Sequence, residues 1–348
     1  MNIHHNNGAR EVIQYILLHA HCNTRDAWYI GVGEDEAVQL FYCFVESEGN
    51  PEEDPLIVWL AGGPGCATLR SFFFQIGPMQ IQYDNYMDNV PALQLHPNSW
   101  TKVANVIYLD APTQPDISYT KTPEAIRSSD TSSAAQTAEF LRKESSKILK
   151  NPMYVAGISY SGIVVPIITE ELYKGNDEGL EPILNIKGYM AGNPLTDKSL
   201  DINSRFEYAY RLALISKDLY ESTRKACNGD YANADSNNLQ CMSNIYEVNK
   251  RVKGIYTQQI LEPDCDPATN LLTIIIPIVR GNRRALQANP INDSICQVTI
   301  MSMQSLGPMT KRLRKPLIYV REQVTTAPEF KPKECFVMVK RWFAHKPI

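Results

Sequence analysis

Met153 to Ala156 is a short apolar run that ends in Gly157-Ile158-Ser159-Tyr160-Ser161-Gly162, and no other stretch of the chain restricts the fold as much. A strand that turns sharply into a helix presents a residue at its tip only if small neighbours let the two elements pack closely, and Gly157, Ser161 and Gly162 are such neighbours. The hydroxyl of Ser159 is then pushed into the open as a candidate nucleophile. The pattern G-x-S is weak alone, because Gly and Ser are common turn residues. The usual G-x-S-x-G has serine at its last position here, with glycine one place later.

A second segment strengthens the reading. Leu56 to Leu60 (LIVWL) is a continuous apolar run of strand length, followed by Ala61-Gly62-Gly63-Pro64-Gly65-Cys66. A glycine-rich turn after an early buried strand is where an α/β hydrolase keeps half of its oxyanion hole, a backbone N–H aimed at the developing negative oxygen. Gly63 is the candidate for that donor and the N–H of Tyr160 for the other. A plain tight turn is the competing reading. No Gly-Lys-Ser/Thr follows, so nothing here points to a phosphate loop.

Phe41 to Val45, Leu56 to Leu60, Val106 to Leu109, Tyr154 to Ala156 and Ile186 to Met190 read as strands, the first antiparallel and joined to the next through Gly49 to Pro55. Asp130 to Leu149 reads as a helix with Ala134, Ala138, Leu141 and Ser145 on one stripe. Gly162 to Tyr173, Leu239 to Val252 and Glu334 to His345 read as further helices. The fold class is α/β: a mostly parallel central sheet flanked by helices, in the α/β-hydrolase arrangement. With 348 residues, 44% of them hydrophobic and 21% charged, the chain can bury one large core. We expect a single domain over 1–348 with a helical insertion at about 200–300, where polar helices and loops replace the alternation.

A formal charge of -4 and the lack of a basic face argue against a nucleic-acid partner. The apolar run Leu271 to Val279 is too short to span a membrane and contains Pro277. Eight cysteines without a C-x-x-C or His-Cys cluster suggest an oxidising compartment more than a metal site. Cys227 and Cys241 flank an Asn- and Asp-rich loop and could close it, while Cys22, Cys43 and Cys335 are candidates for buried thiols. Asn292-Asp293-Ser294 is a sequon that accepts a glycan only in the secretory pathway. Met1 to Cys22 is a poor signal peptide, its apolar stretch Val12 to Leu18 being interrupted by Gln14.

The segments WLAGGPGC (Trp59 to Cys66), SWTKVANVIYLDAP (Ser99 to Pro112), YVAGISYSG (Tyr154 to Gly162), GYMAGNPLTD (Gly188 to Asp197) and TAPEFKPKECF (Thr326 to Phe336) resemble the serine carboxypeptidase-like family, its plant acyltransferase branch most. The resemblance runs from about Gly31 to Ala268 and resumes near Thr326. It implies an α/β-hydrolase fold, a Ser-Asp-His triad, a helical insertion and an extracellular or vacuolar life. It also implies peptide or small acyl-ester substrates, with acyl groups taken from glucose esters in one branch, and no cofactor. Cys265 and Cys296 would form a second bridge by the same resemblance, and Cys66 would reach a later cysteine. Oligomeric state is not implied.

The chain departs from the family where the chemistry sits. In α/β hydrolases the order is Ser, then Asp or Glu, then His, and of the six histidines only His345 follows Ser159. The family's catalytic histidine immediately precedes the TAPEF segment; that position is Thr325. The family's catalytic aspartate lies in a GDxD turn on a late strand, and between Pro267 and the C-terminus the only aspartate is Asp293. We therefore expect a late sheet strand to be deleted, with an exposed edge and low solubility, and read Cys296 to Gln323 as a solvated basic linker. The family's carboxylate-binding positions hold Ala61 and Ile158, and its GxGFSY stretch is replaced at Gln114 to Tyr119. Three readings follow: a catalytically impaired relative, an esterase with a substitute base (His345, Glu322 or Glu329), or a binding protein that reuses the pocket.

Overall fold

Strands in which every residue is apolar have to be covered on both faces. The computed structural model describes residues 29–87, 90–113, 117–144, 147–255, 318–320 and 327–346. Its elements, in chain order, are β1 (Tyr29–Val32), β2 (Val38–Val45), β3 (Leu56–Leu60), α1 (Thr68–Phe74), β4 (Met79–Met87), β5 (Val90–Leu95), β6 (Asn105–Leu109), β7 (Tyr119–Thr120), α2 (Asp130–Lys143), β8 (Met153–Ile158), α3 (Ser161–Asp177), β9 (Ile186–Gly192), α4 (Lys198–Arg211), α5 (Lys217–Ala226), α6 (Leu239–Val252), β10 (Ile318–Val320), α7 (Ala327–Phe330) and α8 (Pro332–Phe343). The main sheet runs β1-β2-β6-β3-β8-β9-β10, with β7 paired to β2. β1, β2 and β6 are antiparallel neighbours, and β6, β3, β8, β9 and β10 are parallel. This is the mixed sheet of an α/β hydrolase.

The two-residue period of a strand divides the core. Ile57 and Trp59 of β3 join Phe41, Val106, Tyr108 and Ile158 on one face, covered by Phe72 of α1 and by Cys335 and Val339 of α8. Leu56, Val58 and Leu60 join Ile107, Leu109 and Val155 on the other, covered by Ala134, Phe140 and Leu141 of α2 and by Val165, Ile168 and Leu172 of α3. Cys43 and Cys335 are buried. Two asparagines hold the turn between β2 and β3: Asn105 and Asn151 each donate from Nδ2 to the carbonyls of Pro51 and Asp54, at 2.7–3.0 Å.

Several expectations are revised. The helix read as Asp130 to Leu149 ends at Lys143, because Glu144 is extended (φ -65, ψ 123); its start is fixed by a capping box in which Ser129 and Ser132 bond each other's backbone N–H. The linker reading of Cys296 to Gln323 fails at Ile318–Val320, which forms a strand parallel to β9, opposite Met190 to Gly192. A late strand thus pairs with β9 where the sequence reading had a linker. The hairpin of β4 and β5 was also not anticipated. Pro91 lies in β5, which among the described residues has β4 as its one strand partner, the setting in which a strand tolerates proline. Thr325, Glu322, Cys22, Cys265, Cys296, Asn292, residues 114–116 and the run Leu271 to Val279 lie outside the described residues. No described helix is long and apolar enough to cross a membrane.

Helices α4 to α6 gather a cluster of their own, built on Phe206, Ala209, Ile215, Tyr231 and Val248, with the rings of Phe206 and Tyr231 stacked at 3.8 Å. Cys227 and Cys241 are disulfide-bonded across 14 residues, closing the polar loop as its flanking positions suggested. Closing a loop of that length removes unfolded-state freedom worth about 3 kcal/mol. Replacing both cysteines by serine should therefore destabilise this helical unit by about that amount, read as faster amide exchange in α5 and α6 while β3 and β8 keep their protection.

Candidate active site

Ser159 follows the last residue of β8 with a φ of +58°, in the left-handed region that side chains disfavour by about 1–2 kcal/mol. Three hydrogen bonds hold it there. Its N–H donates to Gly192 O of β9 (3.0 Å), and its carbonyl accepts from the N–H of Gly162 (2.9 Å) and of Leu195 (2.7 Å). A Cβ at Gly157 would stand 2.5 Å from Ser161 Cβ and 2.9 Å from Leu60 O, and one at Gly162 would overlap Pro194. The displaced glycine of the motif thus has a reason. Ser161 is small enough to lie against Gly157 and satisfies its hydroxyl on Leu60 O (3.3 Å), while Gly162 makes the close approach to Pro194. Ser159 is half-buried, and among the described residues its hydroxyl has no hydrogen-bond partner.

Gly62 and Gly63, with φ of +88° and +108°, fold the glycine loop over the elbow. A Cβ at Gly62 would overlap Ile158 O and come within 3.3 Å of Ser159 Cβ. Among the described residues the N–H groups of Gly63 and Tyr160 have no acceptor. The Tyr160 hydroxyl is held by Asp130, the first residue of α2, at 3.1 and 3.2 Å.

Asp110, at the end of β6, organises this region, and the sequence reading missed it. Its buried carboxylate accepts from the N–H of Thr68 (3.0 Å), Ile117 (3.0 Å) and Ser118 (2.9 Å), so it pins the start of α1 to the segment after β6. Ser118 returns the contact through its hydroxyl to Asp110 O (2.5 Å) and accepts from Phe41 N–H (2.8 Å). Burial pushes the Asp110 carboxyl above its ordinary range, against the pull of those N–H donors. A carboxylate directly after the apolar run Val106 to Leu109 was the available signal.

The far side of the elbow is closed by the TAPEF segment. The N–H of Ala327 donates to Asn193 Oδ1 (3.2 Å), next to the Gly192 that holds Ser159, and Glu329 pairs with Arg70 of α1 at 3.4 Å. Helix α8 then runs back along the sheet, so that Trp342 and Phe343 pack on Tyr154, at ring separations of 4.7 and 5.5 Å. Tyr154 is the second residue of β8, and Ser159 lies five residues further on, about 16 Å at strand rise. His345, exposed at the end of α8, therefore follows rings that pack at the start of β8, the opposite end of that strand from the elbow. As a base for Ser159 it is ruled out by this geometry. His96 is buried after β5, its Nδ1 3.0 Å from Gly77 O, and burial pulls its pKa down. Ala61 and Ile158 are buried and apolar, Ile158 packing in the cluster of Trp59, Phe72 and Met190.

A family model described as serine carboxypeptidase (Peptidase S10) matches residues 22–306. The chain belongs to the serine carboxypeptidase family. It is 46% identical over 244 residues to serine carboxypeptidase-like 2 of Arabidopsis thaliana, covering 69% of this chain and 55% of that protein. Against serine carboxypeptidase-like 19 of the same plant it is 41% identical over 270 residues, covering 76% and 58%. The chain thus spans little more than half the length of the curated relatives it matches. Among solved structures it is similar to Kex1(delta)p, a prohormone-processing carboxypeptidase from Saccharomyces cerevisiae, with a TM-score of 0.52, 17% identity, and 72% of this chain and 59% of that one covered. That likeness bears on the fold alone.

One buried carboxyl in this member of the family has a measurable consequence. Asp201, in the first turn of α4 behind the Pro194 to Thr196 loop that holds Ser159, is fully buried, and neither carboxylate oxygen meets a well-formed hydrogen bond. Burial first, and the charge of Asp197 second, push it up to about 7; Arg205 and the amides of Thr196 and Asp197 offset part of this. The folded state therefore keeps a proton that the unfolded chain releases near pH 4, so stability is lost as pH rises from 4 to 7 and levels off above. Relative to wild type, Asp201→Asn should gain stability across that window, by up to about 4 kcal/mol. Urea midpoints at pH 4, 5.5, 7 and 8 check this, and a difference that does not vary with pH would exclude a buried ionisation.

Proposed function

We propose that this chain carries the family's acyl-group site, built on Ser159 with the N–H groups of Gly63 and Tyr160 as oxyanion donors, but turns over at the low level that such donors sustain without a base. The family chemistry is serine-type carboxypeptidase action or acyl transfer from glucose esters, on peptide or small acyl-ester substrates. The residue that carries the reading is Thr325, standing where the family keeps its catalytic histidine. Threonine cannot take a proton from serine at neutral pH. Of the two described histidines, His96 is buried with its Nδ1 on Gly77 O, and His345 follows rings that pack at the start of β8. In serine hydrolases the loss of a triad member costs roughly 10⁴ to 10⁶ in turnover and leaves about 10³ to 10⁴ over water.

Substrate choice follows from the neighbours of Ser159. Ala61 and Ile158 offer no hydrogen bond to a peptide's terminal carboxylate, which favours ester over peptide cleavage. The reaction needs no metal or organic cofactor, because nucleophile and oxyanion donors come from the chain. The helical unit from α4 onward we take as part of the insertion of about residues 200–300 that borders the site. The Cys227–Cys241 bridge supports an extracellular or vacuolar setting.

A second reading, a binding protein that reuses the pocket without turnover, is supported by the same intact elbow beside the same missing base. An esterase with a substitute base now depends on Glu322, since Glu329 is paired with Arg70. Labelling by a fluorophosphonate probe separates these readings. We expect Ser159 to react at least about 10³-fold more slowly than the serine of an active relative, in line with triad loss. Rapid labelling that Ser159→Ala abolishes would overturn the impaired reading and favour the substitute base.

A further inference from the structure

Residues 193–197 join the end of β9 to the start of α4, and this short junction serves both sides. Towards the sheet it braces the elbow: Leu195 N–H donates to Ser159 O at 2.7 Å, and Pro194 lies so close to α3 that a Cβ at Gly162 would overlap it. Towards the helices it starts α4. Asp197 caps that helix by accepting from Leu200 N–H through Oδ1 at 2.8 Å, and its carbonyl accepts from Asp201 N–H at 2.9 Å. Further along, α4 is fixed to the helical unit, with Phe206 and Ala209 in its cluster and Asn203 Oδ1 accepting from the N–H groups of Tyr231 and Ala232 at 2.7 and 2.9 Å. A shift of the first turn of α4 is therefore passed through Asp197 to Leu195.

Asp201 sits in that turn, fully buried, with neither carboxylate oxygen in a well-formed hydrogen bond. Tyr208, two turns along the same face, also has a buried hydroxyl without a partner among the described residues. Asp197 opposes ionisation of Asp201, while Arg205 and the amides of Thr196 and Asp197 favour it without cancelling the effect of burial. A carboxyl in such a place is tolerated with its proton on and penalised without it. The penalty is relieved if the turn opens and water reaches the carboxylate, which then titrates in the ordinary range near pH 4. Linkage gives the sign. The closed turn keeps the proton up to about pH 7, so opening becomes easier as pH rises from about 4 to 7, by at most about tenfold per unit, and changes no further above.

We propose that Asp201 is a positioning residue for the elbow: its proton holds the first turn of α4 against the 193–197 junction, and loss of that proton frees Leu195 from Ser159 O. The elbow is thus held most firmly in acid. For its consequence, a better ordered site in an acidic compartment, the inference rests on the reading of Ser159 as the acyl-group residue. A buried ionisation without this coupling would change overall stability and leave Leu195 as it was.

Hydrogen–deuterium exchange of the full chain, read by mass spectrometry between pH 4 and 8 and corrected for the intrinsic pH dependence of exchange, tests the coupling. In wild type the Leu195 and Asp201 amides should be less protected than those of β3, the mark of a local opening. Their protection should fall by up to about tenfold per unit and level off near pH 7. In Asp201→Asn, neutral at every pH, the protection of Leu195 should stay constant across the same range. Asp197→Asn keeps the cap, because asparagine caps as well as aspartate, and removes the opposing charge, so the fall should level off at a lower pH. Protection at Leu195 that is independent of pH in wild type, that falls equally in Asp201→Asn, or that matches β3 throughout overturns the assignment. None of these results bears on turnover, which the fluorophosphonate labelling of Ser159 decides separately.

Discussion

The left-handed backbone at Ser159 is the constraint around which the rest of the molecule is arranged. A side chain holds that conformation only if the surroundings insist on it. Here the insistence comes from the next strand and the loop after it, through Gly192 O and the N–H of Leu195. Those contacts require β8 and β9 to be parallel and in register, which requires the all-apolar strands to be covered on both faces. They also require bare glycine at 62, 157 and 162, where a Cβ would meet backbone or neighbouring side chains. The elbow is thus a product of the whole sheet, not of the six residues that announce it.

The scaffold and the chemistry are separable in this chain. The elbow's crowding, the Asp110 hub and the two core faces do not use a histidine or an aspartate from the late part of the family's sequence. The forces that shape Ser159 come from the sheet, the glycines and the backbone contacts around the elbow. Beside the elbow, Ala61 and Ile158 are buried and apolar, and Arg70 pairs with Glu329.

Much of the sheet could be read from local pattern, because Phe41 to Val45, Leu56 to Leu60, Val106 to Leu109 and Met153 to Ala156 are continuous apolar runs of strand length. Helix α6 matched its reading at both ends, Leu239–Val252, because polar capping at Asn238 and an apolar stripe agree there. The hairpin of β4 and β5 carries Pro91 and mixed polarity, and pairing between its two strands, not sequence pattern, makes it. β10 was read as linker because three residues cannot show a period; their partner β9 makes them a strand.

By itself the sequence determined the chemical inventory: a serine in a tight turn, a threonine where a histidine was expected, and cysteines 14 residues apart that close a loop. These follow from residue identity and short spacing, which do not change with folding. Only the tertiary structure decided who meets whom. It set Asp110 as the anchor of two segments, joined Arg70 to Glu329 across 259 positions, and packed the end of the last helix, just before His345, at the start of β8 and not at its elbow end. Contacts at such separations are fixed by strand order and helix direction, and no window of sequence contains them.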